Sequence, residues 1–136
     1  MKGTLALAAF LIAAQTLPVV DPPRVTQKQF KRLRAAGRIA VVDQRAENTY
    51  RRGHIPGAIS LPLDGRQWQP EFDRTLDAIK ALRKPVVVYC GCAGDAGAVR
   101  VANLLTERGV RDVRVLAGGW IDWFNDGNPV VTGRGR

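Results

Sequence analysis

Three short apolar runs, "IAVV" from Ile39, "VVVY" from Val86 and "VRVL" from Val113, alternate along the chain with stretches of helical periodicity. A sheet with one face in water shows apolar and polar residues in alternation. Runs that are apolar almost throughout must be covered on both faces, and the intervening helices supply the covers. The pattern therefore predicts an α/β fold of three layers, a central parallel sheet with helices on both sides. In such open sheets ligands bind beyond the carboxyl ends of the strands.

The helical stretches carry their own signals. Thr26 to Gly37 opens with a T-x-x-Q capping box, Thr26 with Gln29, and stops at a glycine. From Glu71 the residues Phe72, Leu76, Ile79 and Leu82 or Arg83 form one helical stripe that Pro85 closes. A brief strand is expected at Ala58 to Leu61, a helix after the glycine-rich loop through about Arg108, and a helical turn in "IDWFNDGNPV". No internal repeat or low-complexity tract interrupts the chain, whose 136 residues suit one domain with its own core.

The N-terminus reads differently. One lysine precedes ten unbroken apolar residues, Leu5 to Ala14, and small or polar residues follow. That order is the one of a secretory signal, and the run falls well short of the roughly 20 residues that span a bilayer. Residues 1–16 are therefore expected to be a signal peptide or an uncleaved anchor, 17–24 a Pro-rich linker, 25–131 the folded domain and 132–136 a basic tail. The chain is expected to be exported, to the periplasm if bacterial, and to touch a membrane only if the first segment stays uncleaved. Its formal charge of +9 is spread over the chain, with no aromatic residues interleaved as a nucleic-acid platform needs. The field suits small anions instead, and no nucleic-acid partner is expected.

The two cysteines of the chain, Cys90 and Cys92, stand one residue apart in "YCGCAGDAGA", between a strand and a helix. A bond between them can close only a tiny ring, which removes almost no entropy from the unfolded chain, so the pair is not a structural staple. Small residues let the loop curl with its N–H groups inward, and the following helix adds its positive end. Gly91, Cys92, Ala93, Gly94, Asp95 and Ala96 are the expected anion cradle, which lowers the pKa of a thiol and suits an anionic persulfide.

Beyond this loop, "VVDQRAENTYRRGHIPGAISLP" resembles the first signature of rhodanese-domain sulfurtransferases, with Asp43, Arg45, Tyr50, Gly53, His54, Ile55, Pro56, Gly57 and Ala58 at the family's spacing. "VVVYC" is similar to the family's catalytic strand and nucleophile, and Gly118, Gly119 and Trp123 to its closing G-G-x-x-x-W segment. The resemblance spans roughly residues 25 to 131 and implies a rhodanese-like three-layer fold. It implies Cys90 as the nucleophile that carries sulfane sulfur as a persulfide from a donor such as thiosulfate to a thiol or cyanide acceptor, with no cofactor and no metal. It makes His54 a brace in a turn and Asp43 with Arg45 a structural pair near the site. Trp120 and Trp123 are expected to pack the core, and a monomer is the expected state.

The chain departs from the family's usual pattern in two places. The active loop is about two residues longer, as in the minority of rhodanese-like proteins with a C-x-C loop, and Cys92 lies in the extra length. No Arg or Lys falls between Cys90 and Val99, where family members that use thiosulfate commonly place basic groups. Cys92 is a candidate resolving thiol, which admits a thiol–disulfide or sulfane-sulfur reductase reset by an external dithiol reductant. Paired thiolates also admit a soft-metal-binding module. The related phosphatase and arsenate-reductase branch requires an Arg five or six residues after the nucleophile. Those positions hold Asp95, Ala96, Gly97 and Ala98, and that reading fails.

Overall fold

The computed structural model describes residues 20–63 and 70–134. The expected signal segment, the start of the linker and the last two residues of the tail lie outside the described residues. Among the described residues no helix is long and apolar enough to cross a membrane.

The elements follow in the order β1 (Arg24–Val25), α1 (Gln27–Ala35), β2 (Ala40–Asp43), α2 (Glu47–Arg52), β3 (Ile59–Ser60), α3 (Pro70–Ala81), β4 (Val86–Tyr89), α4 (Ala96–Glu107), β5 (Val113–Leu116) and α5 (Gly119–Asn125), with a 3-10 turn at Ala93–Asp95 before α4. The five strands form one parallel sheet in the order β1-β5-β4-β2-β3. β4 is central, paired with β2 through Ala40–Val86 to Asp43–Tyr89 and with β5 through Val86–Val113 to Val88–Val115.

Two apolar layers explain why the strands are apolar without alternation. Val86, Val88 and Cys90 face one side, where Phe72, Leu76 and Ile79 of α3 and Ala98, Val101, Ala102 and Leu105 of α4 cover them. Val87 and Tyr89 face the other, beneath Phe30 of α1, Tyr50 of α2 and Trp123 of α5. Phe30 meets Trp123 edge-on at 5.5 Å between ring centres, both almost fully buried. The helix after β2 thus lies on one face and the helix after β4 on the other. Between the carboxyl ends of these adjacent strands the chain opens a crevice, the place where α/β sheets bind ligands.

The capping box of α1 forms in both directions: Gln29 N–H donates to Thr26 Oγ1 at 3.2 Å, and Thr26 N–H to Gln29 Oε1 at 3.0 Å. α4 stops at Glu107, with Gly109 at φ +87° and its N–H on the Thr106 carbonyl.

Two expectations need correction. The stripe of α3 ends at Ile79. Leu82 lies beyond the last helical residue and is 45% exposed, and Arg83 turns into the left-handed region at φ 51°. The chain must leave the helix there to enter Pro85 and β4, and that turn swings both side chains off the buried face. The second correction adds a strand. β1 extends the sheet beside β5, with Arg24 opposite Val115 and Val25 opposite Leu116. Two residues after a Pro-Pro pair are too few to show a period, so no pattern marks them.

The corrected end of α3 is testable by urea unfolding. Ile79→Ala is expected to cost about 2–5 kcal/mol, as for a buried Ile. Leu82→Ala should stay within about 0.5 kcal/mol, as for a surface change, and equal losses would return Leu82 to the core.

Candidate functional site

Cys90 follows the last residue of β4 and is 2% exposed. Its carbonyl accepts the Trp120 N–H at 2.9 Å, which brings the start of α5 against the loop. Gly119 permits that approach: its φ is +47°, and a Cβ there would lie 2.5 Å from the Cys90 carbonyl oxygen. The chain then runs through exposed Gly91 to half-buried Cys92, and the two cysteines are joined by a disulfide across a Cα–Cα separation of 5.6 Å.

Both sulfurs receive backbone donors. Cys92 N–H points at Cys90 Sγ over 3.4 Å, and Gly97 N–H, in the first turn of α4, at Cys92 Sγ over 3.1 Å. Of the N–H groups expected to form a cradle, that of Cys92 reaches a sulfur, and that of Asp95 bonds the Cys92 carbonyl at 3.4 Å. Gly91, Ala93, Gly94 and Ala96 stand exposed around the mouth of the loop. Gly97, outside the expected set, supplies the second sulfur contact. Gly94 at φ 68° and Asp95 at φ 60° make the left-handed kink that turns the loop into α4.

The neighbouring strand end supplies the wall of the crevice. Asp43 is fully buried and Arg45 is 8% exposed. Arg45 Nη2 donates to Asp43 Oδ2 at 2.6 Å and to the Gly53 carbonyl at 2.7 Å, while its backbone N–H donates to Asp43 Oδ1 at 2.9 Å. The Tyr89 hydroxyl donates to Asp43 Oδ2 at 2.5 Å and accepts the Ile55 N–H at 3.1 Å. Burial, with the Asp43 charge beside it, pushes the Tyr89 phenol far above its ordinary range, so it stays a donor. The Arg45 guanidinium carbon lies 3.9 Å from the Trp120 ring centre, and a Cβ at Gly91 would meet Arg45 Cδ at 3.2 Å.

His54 sits in the buried turn after α2. Its Nδ1 lies 2.9 Å from the Tyr50 carbonyl, its ring stacks on Tyr50 at 3.7 Å, and its backbone bridges to Val131 in both directions. Among the described residues neither cysteine is a hydrogen-bond partner of His54. Trp123 packs the core, donating Nε1 to the Pro129 carbonyl at 2.9 Å. Trp120 packs against the same core from its edge: it is half-buried, stacked on Tyr89 on one hand and on Phe124, which is 58% exposed, on the other. Its backbone is held by Cys90, and that anchor leaves its ring at the rim of the site.

Two residues of the site belong to no motif of the sequence. Gln44 lies between Asp43 and Arg45, and its Oε1 and Cys92 Sγ both crowd the spot a Cβ at Gly97 would take. Its place at a strand end was the available clue. Arg24 comes from β1, with Nε 3.8 Å from Asp95 Oδ2. Arg45 and Arg24 thus bring basic groups to a loop that has none in its own sequence, each facing a carboxylate. Among the described residues no group of three or more His, Cys, Asp or Glu side chains is arranged to hold a metal ion. The cleft lined by Glu47, Tyr50, Ser60, Phe72 and Arg134 includes neither cysteine.

A nucleophile candidate at the end of the central strand, in a glycine-rich loop running into a helix, is the arrangement of a sulfur-handling α/β domain. The rhodanese-like domain profile matches residues 26–126, and the chain belongs to that family. It is 32% identical over 130 residues to the HTH-type transcriptional regulator Rv0324 of Mycobacterium tuberculosis, covering 93% of this chain and 53% of that protein. It is 32% identical over 114 residues to the 3-mercaptopyruvate sulfurtransferase of Mus musculus, covering 76% of this chain and 38% of that protein. The BH2092 protein of Bacillus halodurans has the same fold, with a TM-score of 0.66 at 26% identity over 82% of this chain and 77% of that one. The chain thus spans about half the length, or less, of these two curated relatives.

The buried phenol makes a prediction for alkaline solution. An unfolded chain releases the Tyr89 proton near pH 10, whereas the folded chain holds it, so above that pH the unfolded state binds fewer protons. The stability from this group is complete below about pH 10 and is lost as pH rises. Unfolding free energies measured at about pH 9 and about pH 11 should therefore fall more steeply for the wild type than for Tyr89→Phe. Parallel losses would mean that the phenol titrates alike in both states.

Proposed function

We propose that this chain is a sulfurtransferase that carries sulfane sulfur on Cys90. The observation that carries the reading is the Cys90 sulfur at the carboxyl end of β4, with the Cys92 N–H aimed at it beside the start of α4. The reduced Cys90 thiolate attacks the outer sulfur of thiosulfate, the S–S bond of the donor breaks, and sulfite leaves with the electron pair. The thiolate becomes a persulfide, and an acceptor thiolate or cyanide then takes the outer sulfur and returns Cys90 to the thiolate. The backbone N–H groups of the loop stabilise the anionic outer sulfur.

The basic groups near the loop do not add a free positive charge for the donor. Arg45 is neutralised by Asp43, and Arg24 lies against Asp95. Attraction of an anionic donor rests instead on the helix end and on the formal charge of +9. The chain is further proposed to work outside the cytosol as a monomer, its N-terminal segment serving as the export signal. A C-x-C metal module lacks the third donor that such a site needs among the described residues.

The reading is tested by incubating reduced protein with thiosulfate and measuring intact mass and thiocyanate formation with cyanide. Transfer is expected to vanish in Cys90→Ser, because a hydroxyl is a far poorer nucleophile, while the circular dichroism stays native. Loss of transfer in Cys92→Ser with retention in Cys90→Ser would reverse the assignment.

His54→Ala separates a brace from a base. The fully buried ring is stacked on Tyr50, so its removal should lower the melting temperature by several degrees and leave turnover per folded molecule within about tenfold. A fall of several orders of magnitude at unchanged melting temperature would make His54 a catalytic base.

A further inference from the structure

We propose that Cys92 resolves the Cys90 persulfide, and that the disulfide so formed is opened by an external dithiol attacking Cys92, so that the chain also reduces sulfane sulfur to hydrosulfide. This rests on the sulfurtransferase reading of Cys90 and adds a second half-reaction to the same site.

The loop holds the two sulfurs within bonding distance in the folded chain. Cys90 is anchored from both sides, by the end of β4 and by the Trp120 N–H on its carbonyl. Cys92 stands in an extended conformation at the entry to the 3-10 turn. Its sulfur faces the Gly97 N–H at the positive end of α4, at 3.1 Å. A thiol there is held toward the thiolate, which is the attacking species. A filler residue needs no such donor.

The balance of the resolving step is complete within the site. The Cys92 thiol gives up its proton and attacks Cys90 Sγ, the bond from Cys90 to the outer sulfur breaks, and that sulfur leaves with the electron pair and takes up the proton as hydrosulfide. Sulfane sulfur is reduced by two electrons, and the two thiols are oxidised to the Cys90–Cys92 disulfide found in the structure. A dithiol then supplies the two electrons that restore both thiols and itself becomes a disulfide.

Exposure sets the direction of the reset. Cys90 is 2% exposed and packs in the apolar layer with Val88 and Ala98, whereas Cys92 is half-buried at the mouth of the loop. An incoming thiolate reaches Cys92 and expels Cys90, whose sulfur takes the Cys92 N–H as it leaves. The bonded state blocks Cys90 from any donor, so sulfur transfer requires prior reduction.

The test uses the reduced full chain, freed of reductant, loaded with thiosulfate and no acceptor. Wild type is expected to release one hydrosulfide per molecule and to finish two hydrogen atoms lighter than the reduced form. Cys92→Ala and Cys92→Ser are expected to gain one sulfur atom, keep it, and release no hydrosulfide. If wild type and both variants hold the persulfide equally long, the resolving role is overturned and the transfer reading stands. If none of the three gains sulfur or releases hydrosulfide, the transfer reading falls, and this one with it. The direction is read separately, by treating the oxidised wild type with glutathione, trapping the freed thiol with N-ethylmaleimide and fragmenting the peptide. Glutathione on Cys92 and maleimide on Cys90 is the expected pattern, and the reverse pattern overturns the proposed entry point.

Discussion

The buried carboxylate of Asp43 ties together nearly everything that shapes the site. It accepts the backbone and the guanidinium of Arg45, and the hydroxyl of Tyr89 on the neighbouring strand. Arg45 and Tyr89 carry the connection onward to the Gly53 carbonyl and the Ile55 N–H on either side of His54. A charge this deep is tolerated because each of its neighbours is a donor, and removing one partner leaves the other charge uncompensated at a cost of several kcal/mol. β2, β4 and the turn before β3 are thereby held at one level, and the crevice between their carboxyl ends takes a set width. Cys90 is the next residue along β4.

On this frame the loop is shaped by close approaches that only small residues allow. Gly119 lets the start of α5 come up to the Cys90 carbonyl, and Gly97 leaves room for Gln44 beside the Cys92 sulfur. The result is a buried sulfur and a more accessible one, each with its own N–H donor. Burial divides along the same line: Cys90 lies under the apolar layer, and Cys92 is half-buried at the mouth of the loop. Charge around the loop is nearly balanced, since both nearby arginines face carboxylates.

Much of this was legible in the chain itself. Apolar runs between helical stretches imply the covered parallel sheet, because an unpatterned apolar strand has no face to give to water. The capping box of Thr26 with Gln29 starts α1 by local chemistry and forms as expected, and α4 ends within a residue of the expected Arg108. The β-branched run before Cys90 and the small residues after it place that cysteine where β4 ends and the loop begins, as the structure has it. Leu82 misled because a helical period continues on paper after the backbone has turned away. Trp123 fills the core and Trp120 packs only its edge, because a ring's burial depends on which side of a short helix it falls.

What the sequence determined by itself is therefore local or periodic: which segments are strands, where helices start and stop, and which loop holds the thiols. What only the tertiary structure decided is what distant segments bring to that loop. Arg24, the adjacent pair Gln44 and Arg45, and Trp120 reach it from three separate places in the chain. A two-residue strand such as β1 has no period of its own, and its place at the sheet edge exists only because β5 offers it free backbone groups. Nor does spacing alone tell which of two cysteines is covered. That follows from α3, α4 and the strands packing over Cys90 and leaving Cys92 at the mouth, because burial is a property of the assembled layers and not of the residue.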